Sequence, residues 1–299
     1  MKEAYRKQVQ LLLNILPEVA KEECFAMHGG TAINLFVRDM PRLSVDIDLT
    51  YVEIAEREQS LIAINAALAR INQRVTALRP AIHIQHRADV WKLQISENGI
   101  IIKIEVNPVG RGLLGNSMKM PLCDSAQEQF DAFCSMPVVS MAQLYGGKLC
   151  AALDRQHPRD FFDVKLLLEA EGFTEEIKQG LIFGLASSNR PLCEMLDPNL
   201  LDQRSAFENQ FEGMSAVAFS YRDYETTRLR LVDLVKTQLN DDDKTFLLSL
   251  DRLEPDWSIY NYQNYPSVKW KLLNLAKFKK TNPDIWQEQL ARLHAILMS

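Results

Sequence analysis

The sequence predicts a mixed α/β domain over residues 1–136, followed by a mainly α-helical domain over residues 137–299. Three observations carry this. Short β-branched runs with period-two alternation gather before residue 110. From about residue 138 the pattern is helical, broken near Pro191, Pro198, Pro255 and Pro266. The chain has 299 residues, more than one core usually holds, and 47% of them are hydrophobic, enough to pack two.

The elements follow in order. A helix spans about 3–22, bent at Pro17, and a short strand at 24–28 leads into the Gly29-Gly30 turn. A helix at 31–38 and a strand at 45–51 come next, then a long helix at 55–75. Strands near 81–87, 90–96 and 100–107 complete the sheet, the last entered through Asn98-Gly99, a hairpin-type turn signal. Gly110, Gly112 and Gly115 mark a loop. Ser140 can cap a helix running to about Asp154. Pro158 interrupts, and a second helix starts near Arg159.

A formal net charge of −5 argues against indiscriminate nucleic-acid binding and leaves room for a local basic surface. The five cysteines show no CxxC pattern and cannot all pair, so reduced thiols in a cytoplasm are expected. The first residues, Met1 to Arg6, open an amphipathic stretch and not a signal peptide, and no apolar run approaches membrane-spanning length.

The chemistry concentrates around Asp46 and Asp48. On a strand they face the same way, with Thr50, while Val45, Ile47 and Leu49 face the other. Converging carboxylates repel unless a cation lies between them, and hard oxygen ligands suit Mg²⁺, with Mn²⁺ as an alternative. Upstream, His28-Gly29-Gly30-Thr31 offers backbone N–H groups, a hydroxyl and a helix start for a phosphate, with Arg42 and Ser44 between the two blocks. Alternation in the 100–107 strand puts Glu105 with Lys103 and Asn107 on one face, so Glu105 is the candidate third carboxylate of a metal site. Taken singly, these are a strand end, a turn and a solvent-facing strand; their order favours chemistry. In the helical region Lys148, Ala152 and Arg155 share one helix face, and Arg159 and Asp163 are i, i+4 neighbours. Lys148 is expected to meet nucleoside triphosphate (NTP) phosphates, and Asp163 to fix a basic partner. Two further groups could touch RNA. One sets Trp257, Tyr260, Tyr262 and Tyr265 beside Lys269, Lys271, Lys277, Lys279 and Lys280; the other is Arg74, Arg79 and Arg87. For the first group a helical core with a solvated lysine face is the plainer reading.

The run Gly-Gly-Thr-Ala-Ile-Asn-Leu, then Arg-x-Ser-x-Asp-Ile-Asp-Leu, and the later block Lys148-x-x-Ala-Ala with Arg159-Asp160-x-x-Asp163 resemble the AbiEii/AbiGii nucleotidyltransferase toxins of the DNA polymerase β-like superfamily. The recognisable blocks cover roughly residues 25–170, with Thr31 where many members have Ser, Glu105 where Asp is common and Val164 where Leu is usual. The resemblance implies a polymerase β-like α/β domain and transfer of a nucleoside monophosphate from an NTP to RNA, foremost a tRNA 3′ end. In such a site Asp46, Asp48 and Glu105 bind metal, Gly29, Gly30, Thr31, Arg42, Ser44 and Lys148 bind nucleotide, and Lys148 and Asp163 serve the reaction. It also implies a cognate antitoxin and a part in phage defence. Transfer to a small molecule or a protein hydroxyl, and nucleotide binding without turnover, stay open as alternatives.

Overall fold

The computed structural model describes residues 1–298, and its α/β part is built on a seven-stranded mixed sheet. The strands are β1 (Phe25–His28), β2 (Asp46–Tyr51), β3 (His83–Arg87), β4 (Lys92–Glu97), β5 (Ile100–Val106), β6 (Met118–Pro121) and β7 (Ser135–Val138). Their order is β3-β4-β5-β2-β1-β7-β6. β2 runs parallel to β5, and β1 parallel to β7; the other neighbours are antiparallel. Ile47 and Leu49 of β2, Ile102 and Ile104 of β5, and Leu93 and Ile95 of β4 are buried, as alternation requires. The helices Glu3–Val19 and Arg57–Leu78 cover this part of the sheet, the first packing on β5 and on the second helix.

The first helix ends at Val19, three residues earlier than its periodicity predicts. Beyond it Glu22 turns inward, where its carboxylate accepts from Arg70 (2.6 Å) and Arg74 (2.7 Å). After β1 the chain enters the short helix Gly29–Ala32, which continues as a π-helical turn over Ile33–Val37, closed by Arg38 N–H to the Ile33 carbonyl at 2.8 Å.

Three elements between residues 116 and 138 have no sequence-based counterpart: β6, the helix Asp124–Phe130 and β7. Both strands carry a proline, Pro121 and Pro137, which argues against strand when read from sequence. Pro121 is tolerated because β6 is the sheet edge; β7 lies inside the sheet, between β1 and β6, and its Pro137 has no N–H to give either neighbour.

The chain divides into two units. One comprises Met1–Ser140 with Glu212–Ala218; the other comprises Met141–Phe211 with Phe219–Ser299. The expected boundary at 136/137 therefore falls inside β7. The returning segment joins the first unit through main-chain bonds, Leu43 N–H to Met214 O (2.9 Å) and Ala216 N–H to Pro41 O (2.9 Å). The second unit is helical throughout its regular elements. Its helices Met141–Arg155 and Glu175–Ser187 cross with backbones in near contact. A Cβ at Gly146 would run into the Gly180 main chain, and one at Gly180 into the Ala142 carbonyl. Ser220 with Asp223, and Asn240 with Asp243, form capping boxes at the starts of Tyr221–Gln238 and Asp241–Asp251.

Candidate active site

β2 sits between β1 and β5, so its polar face meets residues from both. In register, Asp48 lies beside His28 of β1 and beside Glu105 of β5; Asp46 lies beside Lys103. Two of the three predicted carboxylates are thus neighbours across a parallel ladder. Asp46 and Asp48 are both half-buried, and Ile47 and Leu49 between and beyond them are fully buried. The His28 ring is 3.0 Å from Thr50 Oγ1, which fixes the imidazole against the same strand.

The glycine pair is built around this strand. Gly29 has φ +75°, and a Cβ there would collide with the Asp48 carboxylate. A Cβ at Gly30 would lie 2.7 Å from an Arg42 guanidinium nitrogen and 3.0 Å from Ser44 Oγ. The main chain at 29–30 can approach Asp48, Arg42 and Ser44 this closely because no side chain intervenes. Thr31 takes a different part from the one expected. It is fully buried, its hydroxyl donates to the Asp46 carbonyl, and Ser44 Oγ lies 2.9 Å away. Its hydroxyl therefore braces the Asp46 strand from inside and is turned from any ligand in solvent. Arg42 and Ser44 are likewise buried, and Arg42 donates to the Leu43 carbonyl at 3.0 Å.

A cleft of about 320 Å³ opens on this surface, lined among others by His28, Asp48, Lys92, Glu105 and Asn107. Lys92, which faces Glu105 across the β4–β5 ladder, holds its carboxylate at 2.6 Å. Asn107 accepts from the Val109 and Gly110 N–H groups and shapes the rim. Among the described residues no three His, Cys, Asp or Glu side chains already converge as a metal-binding group. The donor types fit a hard divalent cation: Asp48 and Glu105 are adjacent oxygen donors and Asp46 is on the same strand face, although Lys92 holds Glu105 and a cation would have to displace it.

In the helical unit, the Lys148 ammonium is buried and held by two carboxylates, Asp160 Oδ1 (2.9 Å) and Asp163 Oδ2 (2.9 Å). Arg155 completes the group with Nε to Asp160 Oδ2 at 2.6 Å and a second bond to Oδ1 at 2.9 Å. Burial pushes the Asp160 carboxyl up, but Lys148 and Arg155 outweigh it and hold Asp160 well below the usual carboxylate range. The basic partner expected of Asp163 is Lys148 itself.

The two candidate RNA-binding groups are largely absorbed by packing. Tyr260, Tyr262 and Tyr265 join Phe183 and Phe246 in an aromatic cluster, and Tyr260 O–H donates to Asp243 at 2.5 Å. Lys271 is buried, and Lys279 lies over the Trp286 ring at 4.0 Å. Lys269, Lys277 and Lys280 are exposed. Arg74 pairs with Glu18 and Glu22, Arg79 with Glu97, and Arg87 with Asp89, so none of the three offers an uncompensated charge.

Two residues escaped the sequence reading. Asp160 was visible as part of Arg159-Asp160, three positions before Asp163, a spacing that puts both carboxylates on one helix face. Lys92 carried no sequence signal, because only strand pairing brings it to Glu105.

A structural likeness extends over nearly the whole chain. The nucleotidyltransferase toxin MenT4 from Mycobacterium tuberculosis H37Rv superposes with a TM-score of 0.62 at 13% identity, covering 91% of this chain and 93% of that one. At that identity the likeness speaks for the fold. The comparison with curated proteins gave no match. The family model for the nucleotidyl transferase AbiEii toxin of type IV toxin–antitoxin systems matches residues 10–274. Those residues include the Gly29-Gly30 turn, the Asp46/Asp48 strand, Glu105 and the Lys148 network, and the chain belongs to the AbiEii nucleotidyltransferase toxin family.

Proposed function

We propose that this nucleotidyltransferase moves a nucleoside monophosphate from an NTP to RNA, at the 3′ end of a tRNA, in a cytoplasm where a cognate antitoxin restrains it. The observation that carries the reading is the register of β2 on β5, which sets Asp48 beside Glu105, with the Gly29 main chain against Asp48. Asp46, Asp48 and Glu105 are the side chains that would hold Mg²⁺, or Mn²⁺ in its place. A cation bound there supplies charge neutralisation to reacting phosphates. The Gly29 and Gly30 amides, with Arg42 and Ser44 behind them, offer a preorganised donor surface for phosphate oxygens. Thr31 serves as a positioning residue beneath it. The RNA 3′-hydroxyl gives up its proton to solvent as its oxygen forms a bond to the α-phosphorus, the α–β bridging bond breaks, and pyrophosphate leaves with that electron pair. Lys148 and Asp163 enter the proposal as a nucleotide clamp, tested by the NTP KM of conservative variants at each.

The decisive experiment incubates the purified protein with each α-labelled NTP and total RNA, with Mg²⁺ or with EDTA. Label is expected in tRNA, only with the cation present. Label confined to small molecules or protein, or none in any fraction, would overturn the assignment.

A further inference from the structure

A second cavity, of about 360 Å³, lies within the helical unit, between the loop at Asn189–Pro191 and the helices Asp241–Asp251, Pro266–Thr281 and Pro283–Met298. This is within the size range of small-ligand sites, roughly 300–1,000 Å³. Three charged residues line it: Arg190, which is held by Asp154 and Glu194, and two groups of opposite sign, Asp251 and Lys271. Asp251 is 6% exposed, and among the described residues its carboxylate has no hydrogen-bond or ion-pair partner. Lys271 is 5% exposed; its ammonium donates to the carbonyls of Ser188 (2.6 Å) and Arg190 (3.4 Å), which leaves one of three N–H groups unspent. The two are not within ion-pair distance of each other. The Asp251 carboxylate is more than nine-tenths buried and opens only on the cavity, so a ligand there can supply the donors that the protein does not. Burial also pushes the Asp251 carboxyl up and the Lys271 ammonium down to about 8, and the attraction between the two charges offsets only part of each shift. The remaining wall is mixed: Leu275, Phe278 and Pro191 give an apolar part, and Asn189, Asn274 and Gln289 a polar one.

The ligand must therefore offer paired donors to a carboxylate, an acceptor to an ammonium, and a flat apolar body. Guanine meets all three conditions: N1–H and N2–H on one edge, O6 beside them, and a ring face that aromatic and aliphatic side chains can hold. Adenine and cytosine each present an amino group where guanine presents O6, and so clash with the lysine.

We propose that this cavity is a guanine-binding pocket, with Asp251 accepting from N1–H and N2–H, Lys271 donating to O6, and Phe278 and Leu275 lining the ring. The base can come from a free nucleotide or from an unpaired residue of an RNA. The pocket does not rest on the transfer reaction.

Titration of the full chain with GMP, AMP and CMP in EDTA tests it. Saturable GMP binding is expected, with AMP and CMP about tenfold or more weaker. Asp251→Asn should weaken GMP by a similar factor, and Asp48→Ala, in the other unit, should leave it unchanged. A short oligoribonucleotide carrying one G, against its G-free counterpart, separates the sources. Preference for the oligomer assigns the pocket to RNA, and equal affinity assigns it to the free nucleotide. Should Asp251→Asn fail to fold, acylation of Lys271 in the wild-type protein decides, since bound GMP must slow it. Absence of GMP and G-oligomer binding, AMP binding equal to GMP, unchanged affinity in Asp251→Asn, lost affinity in Asp48→Ala, or unprotected Lys271 would each overturn the proposal.

Discussion

Asp48 shows how one side chain ties sequence to chemistry. It touches the glycine turn on one side and stands beside Glu105 on the other. Replacing it with Ala removes a carboxylate from beside another, so the fold should be retained or slightly stabilised. Transfer should fall by about a hundredfold or more, roughly 3 kcal/mol of lost transition-state stabilisation. Paired measurements of label transfer and urea unfolding on Asp48→Ala check both halves, and an active variant would remove Asp48 from the reaction. Lys271 makes a contrasting case, because its burial works against folding. Its ammonium is lowered from an ordinary 10.5 to about 8. Between those values the unfolded chain binds a proton that the folded chain has released, so this lysine's contribution to stability rises with pH across that window. Below pH 8 both states hold the proton and the full cost of the buried charge is felt. Unfolding free energies measured across pH 8–10.5 should show the rise in wild type and lose this component in Lys271→Met.

At the scale of elements, the Lys148 network joins the helices Met141–Arg155 and Pro158–Ala170 through four charged side chains, Lys148, Arg155, Asp160 and Asp163, with Asp160 and Asp163 both fully buried. Removing one partner of a buried ion pair typically costs about 3–5 kcal/mol, because the other charge is left uncompensated. Lys148→Met leaves two buried carboxylates facing each other and should destabilise the protein by about that much in chemical denaturation. A smaller loss would mean that water reaches the acids. The same pair of helices shows what was legible in the sequence and what was not. The spacing of Lys148, Ala152 and Arg155 identifies a shared face, since that follows from helical geometry alone. What covers the face depends on Pro158 turning the next helix back, and periodicity is silent on that. The Asp46/Asp48 strand and the Glu105 strand could be read because alternation fixes which side chains share a face. Their adjacency, and the arrival of Lys92 at Glu105, depend on strand order, which no local pattern encodes. β6 and β7 were missed for the opposite reason: each carries a proline that speaks against strand, Pro121 at the sheet edge and Pro137 inside the sheet.

For the whole molecule the open physical problem is how a chain of net charge −5 would engage a polyanion. A diffuse positive field is excluded, so phosphate contacts must come from lysines left unpaired by the fold. The structure narrows the set offered by the sequence. Lys271 is buried and Lys279 is held over Trp286, while Arg74, Arg79 and Arg87 are each matched by a carboxylate. Lys269, Lys277 and Lys280 on the helix Pro266–Thr281 are the exposed members. If they meet RNA phosphates, each releases counterions on binding, and the logarithm of affinity falls with the logarithm of salt by roughly 0.7–0.9 per contact. Substituting all three with Gln should therefore reduce the salt slope by about 2–3 and raise the RNA concentration needed for half-maximal transfer. NTP KM should stay as it is, because none of the three is among the residues proposed to hold metal or nucleotide. Fold is not at risk, since exposed lysines contribute little to stability. Affinity titrations of a tRNA from low to physiological salt, on wild type and the triple variant, read the slope directly. An unchanged slope would show that the RNA avoids this helix, and would move the search to basic side chains outside the set named here.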